Sequence, residues 1–234
     1  MNELAVFGKL TWVKSVRARN LSVKIMADGL RITLPGRYTE KDALLFIQKE
    51  YDRILLKQKK IQDKSQNSLL NEHKELKTAT FTVSFKRANR KDVFFKLKQD
   101  KLIVEVPEDS DFNSEKLQKA CWNGIIYFLK KEAKRILPDR TAILARQYGF
   151  RFNDIKIQSS KTRWGSCSRK KSINLSCFLM LVPTHLYDYV ILHELCHTIE
   201  LNHGDKFWEL MNRVTDGKAL KLRQELKNYQ MPDY

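Results

Sequence analysis

Two short runs near the start of the chain alternate apolar and polar residues: Leu21-Ser22-Val23-Lys24-Ile25 and Leu30-Arg31-Ile32-Thr33-Leu34. A period of two belongs to a strand with one buried face. Asp28-Gly29 between them supplies a turn, so a hairpin is expected that ends at Pro35-Gly36. From Thr39 onward the period lengthens to that of a helix, about Glu40 to Lys60, with Leu44, Ile47, Tyr51, Ile54 and Leu55 on one side. Residues 62–78 are polar and weakly patterned and read as a linker. Three further strands are predicted at 81–85, 93–97 and 102–106, separated by charged turns. Helices are predicted over 114–135 and 140–148, with Pro138 between them and Gly149 at the end. A strand is expected over 152–159, and residues 163–168 should pair with 173–176 across a turn. Pro183-Thr184 then opens a long helix to about Leu201, with Thr184 as its cap, and a last helix starts near Asp205. Strands gathered early and mixed elements later are the order of an α+β chain.

The totals narrow the classes of function. A length of 234 residues, with 42% hydrophobic and 30% charged, suits a folded chain of one fair-sized domain or two small ones. The longest uncharged stretch, about Ser172 to Tyr187, is interrupted by Pro183 and polar residues, so no membrane partner is expected. The start of the chain lacks the pattern of a signal peptide, which points to the cytoplasm. Cys121, Cys167, Cys177 and Cys196 form no CxxC pair and read as reduced thiols. The net charge of +17, from 44 basic and 27 acidic residues, leaves nucleic acid open as a partner. The cations are scattered along the chain, however, and also fit a solvated surface.

The segment with the most chemistry is His193-Glu194-Leu195-Cys196-His197. On a helix, Leu186, Val190, His193, His197 and Leu201 share one stripe, while Ile191, Leu192, Leu195, Cys196 and Ile199 cover the other faces. A helix so apolar is a buried one, and imidazoles and a carboxylate inside it need partners. A metal ion supplies them. Histidines one turn apart reach one ion, and zinc is the metal that such imidazoles favour. His203, six residues on and flanked by Asn202 and Gly204, is placed to return as third ligand. Three of the five histidines fall in this window, whereas His73 and His185 lie elsewhere. Three ligands leave a fourth position for water, as in a catalytic site. Glu194, beside the ion rather than on it, could take the water's proton as general base and return it to a leaving amine. Expected, then, is a metallopeptidase acting on polypeptide, with one Zn²⁺ per chain held by His193, His197 and His203, and Glu194 as its catalytic residue. Two alternatives stay open: a structural zinc with Cys196 as fourth ligand, and a nucleic-acid-associated basic protein.

Lys161-Thr162-Arg163-Trp164-Gly165-Ser166-Cys167-Ser168, Ile173-Asn174-Leu175, Tyr189-Val190 with the histidine segment, and Asn202-His203 with Phe207-Trp208 together resemble the YgjP-like metallopeptidases. These are relatives of the SprT-like and WLM proteases. The resemblance runs from about Arg17 to near Lys227 and takes in the first hairpin. It implies the same zinc ligands and the same catalytic glutamate. It also implies a zincin-like catalytic domain over 109–234, with an active-site helix and a small antiparallel sheet. A β-rich N-terminal region with one helix, 1–108, would precede it. Through the SprT-like relatives it extends to proteins that act on DNA-attached polypeptides. One departure is the turn Arg169-Lys170-Lys171-Ser172, where the family often has glycine. Residues 173–176 are a candidate edge for an extended substrate strand, although Trp164 and Leu175 could simply pack beneath the helix. Arg163 could orient a carboxylate or carbonyl, or form an ordinary ion pair. Neither Tyr187 nor Tyr189 is chosen as an oxyanion donor.

Overall fold

The structure, a computed structural model, describes residues 3–232, without the side chains of residue 3 and residues 63–68. The chain divides into two compact units, Met1–Leu69 and Leu70–Tyr234. The second β-rich stretch, expected within a region reaching residue 108, lies in the C-terminal unit.

In the first unit, a 3-10 turn (Glu3–Phe7) leads into β1 (Lys9–Lys14), β2 (Ser22–Ile25) and β3 (Gly29–Leu34), followed by α1 (Glu40–Lys49) and α2 (Tyr51–Ser68). The β2–β3 hairpin forms as expected, with Val23 opposite Ile32. β1 was not foreseen; it pairs parallel to β3, with Trp12 opposite Ile32. Thr39 and Asp42 form a capping box that starts α1. The single helix expected over 40–60 is two helices with Glu50 between them. Its stripe is only partly inward: Ala43, Ile47 and Ile54 are buried with Leu30 and Ile32, but Leu44 stays 37% exposed.

The second unit holds β4 (Leu76–Lys77), β5 (Thr82–Ala88), β6 (Phe94–Lys98) and β7 (Lys101–Pro107), then α3 (Glu115–Tyr148). β8 (Asp154–Gln158), β9 (Gly165–Cys167) and β10 (Ser172–Ser176) follow, with a 3-10 turn (Cys177–Leu181). α4 (Thr184–Cys196), α5 (Asp205–Val214) and α6 (Ala219–Leu226) complete it. The expected linker at 62–78 is helical up to Ser68. Leu70 beyond it is buried, and the Gln118 side chain accepts from its N–H at 3.0 Å and donates to its carbonyl at 2.7 Å. The inward residues of β5 and β7, Val83, Leu102, Val104 and Val106, share a core with Trp122, Ile125 and Leu129 of α3. That burial ties the four-stranded sheet, order β4-β5-β7-β6, to the long helix.

Pro138 does not end a helix. α3 is continuous through it, with Ala133, Leu137, Thr141, Leu144 and Ala145 buried on either side. Proline removes one backbone donor and crowds the preceding turn, but the burial of this face holds the helix together. The Thr141 hydroxyl donates to the Leu137 carbonyl at 2.7 Å inside that stretch. Gly149 closes α3 in the left-handed conformation, as anticipated. The architecture is α+β. The last sheet is mixed rather than antiparallel, order β8-β10-β9, because β8 adds parallel to β10 while β9 adds antiparallel. In the β9–β10 turn, Lys171 has φ 57°, the left-handed conformation glycine adopts without cost. Among the described residues, no helix is long and apolar enough to cross a membrane.

Candidate metal centre

α4 is apolar on every side because every side is covered. Leu186, Tyr189, Val190, Ile191, Leu192, Leu195 and Cys196 are all buried. Pro183 occupies the position before its first turn, and Thr184 makes no capping bond, contrary to expectation. The helix is also shorter than its pattern suggests and stops at Cys196. The Thr198 hydroxyl takes the Leu195 carbonyl at 2.7 Å, and the N–H groups of Ile199 and Glu200 both turn back to the Cys196 carbonyl. Leu201, placed by sequence on the buried stripe, is 49% exposed in the loop beyond. That early stop allows the chain to reverse and bring His203 back. Gly204 then precedes α5, and Asp205 lies in its first turn without capping it.

The three histidines converge through Nε2. The distances are 3.2 Å between His193 and His197, 3.2 Å between His197 and His203, and 3.1 Å between His203 and His193. Three neutral imidazoles cannot all satisfy one another at one point. A tetrahedral ion with Zn–N of about 2.0–2.1 Å would set its ligand nitrogens about 3.3 Å apart, so the spacing fits such an ion. The donor set fits as well. His197 Nδ1–H donates to the Glu200 carbonyl at 2.9 Å, which leaves Nε2 as the lone-pair nitrogen. Burial, and then the other two imidazoles, push His193 down to about 3, so its ring is neutral at neutral pH. Burial also lowers His203. These residues could hold a metal ion, and among the described residues no cysteine or carboxylate joins them.

Phe207 forms the floor. It is fully buried, and its ring centroid lies 4.9, 4.6 and 4.8 Å from those of His193, His197 and His203. It stacks on His197 with 25° between the planes. Sequence patterning had no role for it; the available signal was its place four residues after His203, on the next helix.

Glu194 points elsewhere on α4 and is only 4% exposed. Its Oε2 is buried without a hydrogen-bond partner. Burial raises its carboxyl to about 8, opposed by the charge of Arg163. Arg163 is exposed, and Glu194 is the charge it acts on here. β9 passes directly over this carboxylate at Gly165. The edge expected at 173–176 is not one: β10 is paired on both sides and cannot accept another strand, and the edges of this sheet are β8 and β9. Trp164 and Leu175 pack against the core, and Tyr189 is buried with its ring centroid 6.2 Å from that of His193.

A family model described as YgjP-like, metallopeptidase domain, matches residues 19–229. Among solved structures, the chain is similar to the metallopeptidase zymogen abylysin of Pyrococcus abyssi. Identity is 19%, over 42% of this chain and 100% of that one, with a TM-score of 0.37. It is also similar to the metallopeptidase zymogen jannalysin of Methanocaldococcus jannaschii, at 26% identity over 38% of this chain and 95% of that one, TM-score 0.32. No curated protein matches the chain. The family match takes in the convergent histidines, Glu194 and most of the residues on either side, and the chain belongs to the YgjP-like metallopeptidase family.

Proposed function

We propose that the chain is a zinc-dependent peptidase in which His193, His197 and His203 hold one zinc ion and Glu194 is the general base. The observation that carries this reading is the meeting of three Nε2 atoms at 3.1–3.2 Å, on and just beyond the helix that carries the buried Glu194 carboxylate with an unpartnered oxygen. Zinc bound there would lower the pKa of a water molecule toward neutrality and polarise the scissile carbonyl. Glu194 takes the proton of the attacking water and hands it to the departing amine. A dication close by favours the carboxylate form that this step needs, against the burial that raises Glu194 to about 8 in the metal-free chain. The polypeptide is held extended along the open side of β9, adding as a further strand. Gly165 on that strand keeps the backbone close to Glu194.

A structural zinc with Cys196 as fourth ligand has no support in the arrangement. Cys196 is fully buried, burial pushes its thiol up to about 12, and it does not join the histidines. Unpaired Cys121, Cys167, Cys177 and Cys196 accord with a reducing, cytoplasmic setting.

The test is Glu194→Gln, assayed for zinc content and for cleavage of a denatured protein such as casein. The expected result is zinc retained at one per chain with cleavage lost. Cleavage at the wild-type rate would remove Glu194 from the mechanism.

A further inference from the structure

Peptide hydrolysis places negative charge on the carbonyl oxygen. As the water oxygen bonds to the carbonyl carbon, the C=O π pair moves onto oxygen and the water's proton goes to Glu194. Collapse then re-forms C=O, breaks C–N, and the amine leaves with that proton. A donor fixed beside the developing oxyanion is often the largest single contribution to such a reaction. α4 offers none: Tyr189 is buried and Glu194 is occupied with the proton.

Arg223 on α6 has the properties required. Its guanidinium lies over the Trp208 indole, 5.1 Å from the ring centroid. The Trp208 ring in turn lies 6.3 Å from that of His203, and packs edge-on against Phe207 at 5.3 Å. A guanidinium resting on an aromatic face is held in position while its N–H edge remains available. Arg223 is exposed, and among the described residues no carboxylate pairs with it.

Through Trp208 it stands beside the histidine end of the site. Its charge acts on His193 and His203. The charge that acts on Glu194 is Arg163, from the segment entering β9.

We propose that Arg223, held on Trp208, donates to the substrate carbonyl oxygen as it becomes an oxyanion. The inference rests on the zinc-peptidase reading above. The experiment compares zinc-loaded wild type with Arg223→Ala, Arg223→Lys and Trp208→Leu on a quenched fluorescent peptide that wild type cleaves. Calorimetry with a phosphinic peptide, a tetrahedral mimic of the same sequence, gives a readout independent of turnover. For Arg223→Ala, kcat should fall about 100-fold or more with KM little changed, as when an oxyanion donor is removed. Affinity for the phosphinic peptide should fall in parallel, zinc content should stay at wild-type level, and added guanidinium should restore part of the rate. Arg223→Lys and Trp208→Leu should lie between. A kcat equal to wild type, a loss confined to KM that vanishes when the peptide C-terminus is amidated, or unchanged phosphinic-peptide affinity overturns the proposal. If wild type itself neither binds zinc nor cleaves, the underlying reading fails and this inference goes with it; wild-type cleavage with an unaffected Arg223→Ala sinks this inference alone.

Discussion

Gly165 on β9 lies so close to Glu194 that a Cβ there would stand 2.6 Å from Oε1 and 2.7 Å from Cγ. Real Cβ atoms do not approach so near, and Glu194, 4% exposed, has little room to retreat. Gly165→Ala must displace β9 or swing the carboxylate. Cleavage should drop by about 100-fold or more, the usual cost of an ångström of misplacement. Zinc content should be unaffected, because the atoms nearest that Cβ all belong to Glu194 and none to a histidine. A Gly165→Ala protein with full activity would show that this contact imposes no constraint.

The pH behaviour of the metal-free chain follows from two opposed groups. Glu194 is raised from 4.5 to about 8, so its contribution to stability is fully present below pH 4.5 and is lost as pH rises through about 8. His193 is lowered from 6.5 to about 3, so its contribution is present above pH 6.5 and is lost as pH falls through about 3. Zinc binding near neutral pH should therefore displace a proton from Glu194 but none from His193. Calorimetry at pH 7 in buffers of different ionisation enthalpy should give about one more proton released for wild type than for Glu194→Gln. Equal release by the two proteins would mean that Glu194 is already ionised before the metal arrives.

His203 is the exposed member of the triad and arrives from outside the helix. If it is a ligand, His203→Ala should weaken zinc binding by more than the 10–100-fold that a change in an outer partner causes, so by well over about 100-fold. Competition with a chromogenic chelator measures this. Unchanged affinity would remove His203 from the set and leave two histidines.

Arg140 on α3 and Asp188 on α4 form a two-pronged ion pair, with Nε–Oδ1 at 2.7 Å and NH2–Oδ2 at 2.6 Å. It is half-buried and anchors α4 five residues before His193. Arg140→Ala should destabilise the fold by about 1–2 kcal/mol, the range for a charged, partly desolvated hydrogen-bonded pair. Removing both partners should cost less than the sum of the single changes. Strict additivity in chemical denaturation would mean that the pair contributes nothing.

What the sequence made legible was local. His193, Glu194, His197 and His203 sit within one helix and one turn, so their spacing alone brings them together. The β2–β3 hairpin and the Gly149 stop obey equally local rules. Several misreadings have causes that the local pattern does not carry. Pro138 looks like a breaker, yet Leu137 and Thr141 are buried and the helix persists through it. Residues 173–176 alternate like an edge strand, yet β8 arrives in parallel from the far side and closes that edge. Leu201 continues the stripe by number, but the turn after Cys196 takes it out to solvent. The contacts of Gly165 with Glu194, of Phe207 with the imidazoles and of Arg223 with Trp208 join separate elements, and no periodicity reports them.

X-ray absorption at the zinc edge of the purified, zinc-loaded chain tests the three-histidine site most directly. Three imidazole nitrogens and one oxygen at about 2.0–2.1 Å, with no sulfur neighbour, are expected. A sulfur shell at about 2.3 Å, or a protein that takes up no zinc at all, would contradict it.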